Sequence, residues 1–230
     1  MREIILDTET TGLDPAKGDR LVEIGCIETL NQIPTGNEFH CYINPQRDVP
    51  EGAFKVHGLS AEFLSDKPLF ETVAQDFLAF IGEARLVIHN AEFDMRFINA
   101  ELTRAGQAAI GNERVLDTLA IARRKFPGAS NSLDALADRF QVDRSRRDKH
   151  GALIDSLILA EIYLELSGGR QTAMALTSAP APRPRTPGAA APLAARPLVL
   201  PSRLSEAERA AHAAFVATLG KDAIWGDYPF

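Results

Sequence analysis

The chain has 230 residues, enough for one sizeable domain with extensions or for two small ones. At 45% apolar and 24% charged the composition is that of an ordinary globular protein, and a formal net charge of −6 argues against non-specific duplex binding, which needs clustered Lys and Arg. No apolar run is long enough to cross a bilayer and no charged-then-apolar leader precedes the first strand, so the expected location is the cytoplasm, with no membrane partner.

Ile4–Thr8 reads as a buried strand, and it runs directly into Asp7-Thr8-Glu9-Thr10-Thr11-Gly12. Strands at Leu21–Leu30 and Glu38–Ile43 follow, joined by the short connections Asp14–Arg20 and Asn31–Asn37, an order that predicts an antiparallel meander. Cys26 and Cys41 both fall inside these strands and are expected to be buried, inert thiols without a disulfide. Over Pro68–Ile81 the apolar residues Phe70, Val73, Phe77, Leu78 and Ile81 recur with a helical period. Strands at Leu86–His89 and Val115–Thr118 alternate with helices as in βαβ units. Asn90 is predicted to cap a helix that runs to about Arg104 and closes at Gly106. Helices at Ser132–Phe140 and Ala152–Leu166 complete the domain, and Gly168-Gly169 stops the last of them. The expected fold is α/β, with a domain boundary near residue 169.

Composition then changes. Pro180, Pro182, Pro184, Pro187, Pro192, Pro197 and Pro201 crowd into an Ala-rich stretch, so residues 170–203 are expected to form an extended linker. Ser205 and Glu208 fit a capping box that opens a helix from Ala207 to Leu219, ended by Gly220. A helix this short is marginal in water and calls for a partner.

The chemistry lies in the carboxylates. Asp7 and Glu9 are two apart on a strand and point to one side. Two like charges on a core strand are unfavourable unless a cation sits between them. Asp94 shares a helix face with Phe97 and Ile98, and Asp155 lies on the stripe of Leu159, Ile162 and Leu166, where a solvated acid would not be expected. Either alone reads as a helix-start charge favoured by the macrodipole; four together do not. His150, five residues before Asp155, falls in the loop ahead of the helix, where an imidazole suits a general base beside a metal-bound water. Asp117 reads as structural.

Asp7-x-Glu9, Asn90-x-x-x-Asp94 and His150-x-x-x-x-Asp155 resemble the three motifs of the DEDDh exonucleases. Within that group, Ile4 to Gly12, Val56-His57-Gly58, Val87 to Ala91 and Asn131 to Leu136 are similar to the epsilon proofreading subunits of bacterial DNA polymerase III, over nearly all of residues 1–169. The resemblance implies a ribonuclease H-like fold, a mixed five-stranded sheet flanked by helices. It also implies 3′→5′ hydrolysis of DNA, with two divalent cations (Mg²⁺ or Mn²⁺) held by Asp7, Glu9, Asp94 and Asp155 and His150 as base. Asp7, Glu9, Thr10, Gly12, His57, Asn90 and Asp155 would contact the 3′-terminal nucleotide. Relatives often carry a Glu five residues before the equivalent of His57; this chain has Gly52 there, beside Glu51.

The same resemblance covers the tail. Gln171-Thr172-Ala173-Met174-Ala175-Leu176 is similar to peptides that enter a pocket of the sliding clamp (beta), through Gln171, Met174 and Leu176. Residues 204–230 look like the element that docks on the polymerase alpha subunit, with Phe215, Leu219 and Trp225 as anchors; a small theta-like subunit is a further partner consistent with the family. Two other readings compete: a free-standing RNA-trimming relative, which would lack such a tail, and a non-catalytic scaffold, which would have no use for four gathered carboxylates.

Overall fold

The computed structural model describes residues 1–145, 149–169 and 204–219. The chain divides into two compact units, Met1–Ala175 and Leu176–Phe230. In the first unit, strands β1 (Arg2–Thr10), β2 (Leu21–Leu30), β3 (Ile33–Tyr42), β4 (Arg85–Ile88) and β5 (Val115–Asp117) form one five-stranded sheet in the order β3-β2-β1-β4-β5. β1 pairs antiparallel with β2 and parallel with β4, and β2–β3 and β4–β5 continue each half. The meander and the mixed sheet are as expected.

The second hairpin turn is shorter than expected. Asn31 and Gln32 both adopt positive φ (53° and 67°), so two residues turn the chain and β3 begins at Ile33. A two-residue turn with both φ positive matches the right-handed twist of the strands it joins. Pro34 and Gly36 are tolerated because β3 is an edge strand.

Alternation along β1 divides the core. Ile4 and Leu6 face one side, packing with Phe70 and Phe77 of α3 (Phe70–Ile81) and Phe97 and Ile98 of α4 (Ala91–Arg104). Ile5 faces the other, against Leu159 and Tyr163 of α7 (Ala152–Leu166). The outer side of α7 is covered by α5 (Thr118–Lys125) and α6 (Leu133–Phe140), through Ala122, Leu136, Ala137, Ile158 and Ile162. Two short helices, α1 (Glu51–His57) and α2 (Ala61–Leu64), precede α3. The cysteines are free; Cys26 is buried, which pushes its thiol up, and Cys41 is half-buried.

One position decides how α7 meets the sheet. Gly25 of β2 lies opposite Asp7 in the ladder, and a Cβ there would stand 2.2 Å from the Leu153 nitrogen and 2.5 Å from the Ala152 carbonyl oxygen. The first turn of α7 thus rests on bare backbone, and Ser156 Oγ donates to the Gly25 carbonyl (2.9 Å).

In the second unit, α8 (Glu206–Thr218) opens with the expected capping box between Ser205 and Glu208. None of its residues is buried, and Phe215 and Leu219 are exposed. Gln171, Met174, Leu176, the Pro-rich stretch, Gly220 and Trp225 lie outside the described residues. Among the described residues, no helix is long and apolar enough to cross a membrane.

Candidate active site

β1 is where the sheet changes from antiparallel to parallel, and the cleft opens at its C-terminal end, where open α/β sheets place ligands. Asp7 and Glu9 share the α7 side of β1, facing Gly25 and Glu23 across the ladder. Asp155 enters from the first turn of α7 and Asp94 from the first turn of α4. Asp7, Glu9, Asn90, Asp94, His150 and Asp155 all line one cavity of about 180 Å³, together with Thr8, His89, Phe93 and Leu133. Five predicted metal and base residues are brought together, and Asn90 with them.

Two of the acids are held by their local structure. Thr8 Oγ1 donates to Asp94 Oδ1 (2.7 Å) in a fully buried bond. His150, in the loop before α7 as predicted, places Nδ1 3.1 Å from Asp155 Oδ2. Against an ionised Asp155, which only accepts, Nδ1 would carry the proton and Nε2 the lone pair. His150 is half-exposed while the Asp155 side chain is 4% exposed, a buried acid against an accessible imidazole.

The crowding has an electrostatic signature. Burial, with Asp94, Glu9, Asp155 and Glu23 close by, holds the Asp7 carboxyl well above the usual range. Burial likewise raises Asp94 to about 7, against the opposing pull of the Thr8 hydroxyl. Both shifts favour the neutral acid, so these carboxylates are disposed to take up a cation in place of protons. Ligand atoms of Glu9, His150 and Asp155 lie within 4.8 Å of one another, and the carboxylate oxygens gathered here are the donors a hard divalent cation takes.

The sign of these shifts sets a pH dependence. A carboxyl whose pKa is raised on folding leaves the native state binding more protons than the unfolded chain, so its contribution falls as pH rises. Without divalent metal, the stability contributed by the Asp94 carboxyl is therefore expected to fall between the ordinary carboxylate range near pH 4 and about pH 7, while the buried, neutral His57 and His89 act in the opposite direction. Metal affinity should rise over the same interval. Thermal melts of wild type and Asp94→Asn in chelator and in Mn²⁺ check this; a metal-free gain in melting temperature from Asp94→Asn that does not grow between about pH 4 and about pH 7 would contradict it.

The remaining predicted contacts frame the cleft. Thr10 Oγ1 donates to the Gly12 carbonyl (2.6 Å), and Gly12 has no room for a Cβ beside the Asp19 carboxylate. Thr11 N–H donates to the Arg20 carbonyl (2.9 Å), and the Arg20 N–H returns a bond to Thr11 Oγ1 (3.0 Å). The Arg20 guanidinium makes a two-pronged bond to the buried Glu101 of α4 (2.6 and 2.9 Å), which Arg104 also contacts. His57, the last residue of α1, accepts the Leu59 N–H at Nδ1 (3.0 Å), so the buried Nε2 carries the proton, with the Thr10 backbone as its neighbour. Burial lowers the His57 pKa, so the ring stays neutral.

Asn90 differs from expectation. It stands at the N-cap position of α4 but in the left-handed region (φ 63°, ψ 49°), and its side chain makes no capping bond. Its backbone N–H is held instead by Asp117 Oδ1 (3.1 Å), which also accepts the Leu119 N–H (2.9 Å) and so caps α5. Asp117 is structural, as read. Glu51 ion-pairs with Lys55 in solvent (2.7 Å).

Two residues of the site were not picked out in the sequence. Glu23 is buried, bonded to His40 Nε2 (2.7 Å) and opposite Glu9. A carboxylate within Leu21-Val22-Glu23-Ile24 is the same signal that marked Asp7. Half-buried His89 joins Thr118 Oγ1 (2.9 Å) and the Asn131 carbonyl (3.0 Å), tying the end of β4 to α5 and to the loop before α6; it falls inside the motif Val87 to Ala91, which gave it no role of its own.

Residues 4–163 match the exonuclease family model RNase_T. The chain is 55% identical over 183 residues to the DNA polymerase III subunit epsilon of Rickettsia typhi (78% of this chain, 80% of that protein). It is 48% identical over 181 residues to the Escherichia coli K12 protein of the same name (76% and 74%). Among solved structures, exonuclease X in complex with 5′-overhanging duplex DNA superposes with a TM-score of 0.57 at 26% identity, covering 71% of this chain and 89% of that one. The nuclease domain of 3′hExo, a DEDDh family member bound to rAMP, shares the fold with a TM-score of 0.63 at 15% identity (72% and 91%). With the motifs in place around one cleft and this similarity running through the whole domain, the chain belongs to the epsilon-subunit family of DNA polymerase III, within the exonuclease family.

Proposed function

We propose that this protein is the proofreading 3′→5′ exonuclease of a bacterial DNA polymerase III, removing mismatched 3′-terminal nucleotides from DNA. The observation that carries the reading is the convergence of Asp7, Glu9, Asp94, Asp155 and His150 on one cavity, in a chain of the epsilon family.

Asp7, Glu9, Asp94 and Asp155 would hold two divalent cations, Mg²⁺ or Mn²⁺, which when bound supply Lewis-acid charge at the scissile phosphate. His150 Nε2 takes the proton of the attacking water, and Asp155 holds the ring in the required tautomer. The new P–O bond forms as the bond to the departing 3′ oxygen breaks; that oxygen is protonated from solvent, and a deoxynucleoside monophosphate is released. Nε2–H of His57, Asn90 and the backbone of the Thr10–Gly12 turn would hold the terminal nucleotide.

The organisation follows. Residues 1–169 are the nuclease, 170–203 a linker carrying the clamp peptide at 171–176, and 204–230 the tail that docks on the alpha subunit; a theta-like subunit would bind the nuclease. Exposed Phe215 on α8 suits an interface anchor. Tethering explains how an acidic protein works on DNA, since partners grip the duplex and this chain meets only the frayed end at high effective concentration.

A 3′-labelled primer–template with Mg²⁺, terminally matched or mismatched and ending in DNA or RNA, tests the reading. Faster release of monophosphate from the mismatched DNA end is expected; preference for the RNA end, or no release from DNA, would refute it. Gln171→Ala should lose clamp co-purification and Trp225→Ala that of the alpha subunit, and retention of both would refute the docking assignments.

A further inference from the structure

The loop that carries His150 is fastened to α1 at two successive residues. The His150 N–H donates to the Val56 carbonyl (3.3 Å). One residue earlier, the Lys149 side chain lies across Gly58, where a Cβ would stand 2.6 Å from its Cδ, and its Nζ sits 5.0 Å from the centre of the Phe54 ring. Gly58 closes α1 in the left-handed region (φ 76°), and its bare surface makes room for the lysine stem. Between Val56 and Gly58 stands His57. One short helix therefore meets the base through its loop and presents His57 from its last turn.

The backbone bond of 3.3 Å is a long tie to α1 for a half-exposed residue whose ring is held on its other side by Asp155. A lysine stem on apolar surface with its ammonium over an aromatic ring adds a second point of attachment. We propose that Lys149 is a positioning residue for the hydrolysis: closed over Gly58 and Phe54, it latches the His150 loop to α1 and so registers the base against the end of the helix that carries His57. The proposal rests on His150 acting as base and adds the device that places it.

Proton transfer belongs to the transition state, so loosening the latch is expected to act on kcat rather than on substrate binding. In the full-length protein with single-stranded DNA and Mg²⁺, Lys149→Ala should lower kcat about 10-fold with KM within about twofold, a fraction of the effect of losing a general base outright. Phe54→Ala should do the same, and the double variant should be no worse than either single one, because both remove one contact. Lys149→Arg should restore kcat, since a guanidinium also stacks on an aromatic ring. In metal-free protein, amide exchange at His150 should quicken in Lys149→Ala.

Unchanged kcat and unchanged exchange would overturn the latch. So would a raised KM with intact kcat and a salt slope of DNA binding reduced by about one, which would make Lys149 a phosphate contact instead. His150→Ala run alongside separates the two levels. If it keeps wild-type kcat, the base assignment itself fails; if it loses activity while Lys149→Ala does not, only the latch falls.

Discussion

Asp155→Ala is expected to lower nucleotide release by about 10³-fold or more, the scale on which removal of a preorganised electrostatic group from an active site is felt. On the proposed function two roles are lost together, a carboxylate of the proposed cage and the partner of His150 Nδ1. Asp155 also belongs to the crowd that raises the Asp7 carboxyl, so its removal relieves repulsion and should leave the metal-free fold intact. The upward shift of the melting temperature with Mn²⁺, expected for any cation that binds only the native state, should shrink with activity. Exonuclease assays and melts with and without Mn²⁺ make the check; a variant with normal turnover would end the assignment of the cage.

Gly25→Ala should be nearly as damaging, although residue 25 touches neither metal nor substrate. The added methyl would lie 2.2–2.5 Å from backbone atoms of Ala152 and Leu153, and no side-chain rotation relieves that. Either α7 lifts from the sheet or β2 bends; the Ser156–Gly25 bond is strained in both cases, and Asp155 withdraws from Asp7 and Glu9. Overpacking of this kind costs about 1–3 kcal/mol, and a catalytic carboxylate displaced by about 1 Å costs about 10²-fold in rate. A lowered melting temperature together with a fall in kcat is the expected result, read by calorimetry and single-turnover hydrolysis. Wild-type values for both would show that the contact is softer than its geometry.

Much of this site is legible in the sequence because carboxylates on apolar stripes violate local physics. Asp7, Glu9, Asp94 and Asp155 each sit where burial penalises them, and the structure gathers all four on one cavity. Glu23 breaks the same rule but stands in no motif, and its role becomes visible only across the ladder from Glu9. Periodicity found α3, which buries Phe70, Phe77 and Ile81 along one face. It could not find α1, whose single buried residue is His57 and whose seven residues leave no stripe. The helix α5 was hidden for another reason: it starts directly from a three-residue strand, with Asp117 ending one element and capping the next. Asn90 looked like an ordinary cap, but its left-handed backbone depends on a carboxylate 27 positions away in the chain.

The bond between Arg20 and Glu101 has a consequence for how the enzyme can change. The turn at Thr10–Gly12 is stapled to α4, the helix that also carries Asp94. The seat proposed for the terminal nucleotide and the helix that carries Asp94 are thus joined through Thr11, Arg20 and Glu101. A substitution that shifts the Thr10–Gly12 turn is therefore expected to be felt at α4 and its Asp94, so that the proposed choice of 3′ end and the proposed choice of ion are coupled through one ion pair.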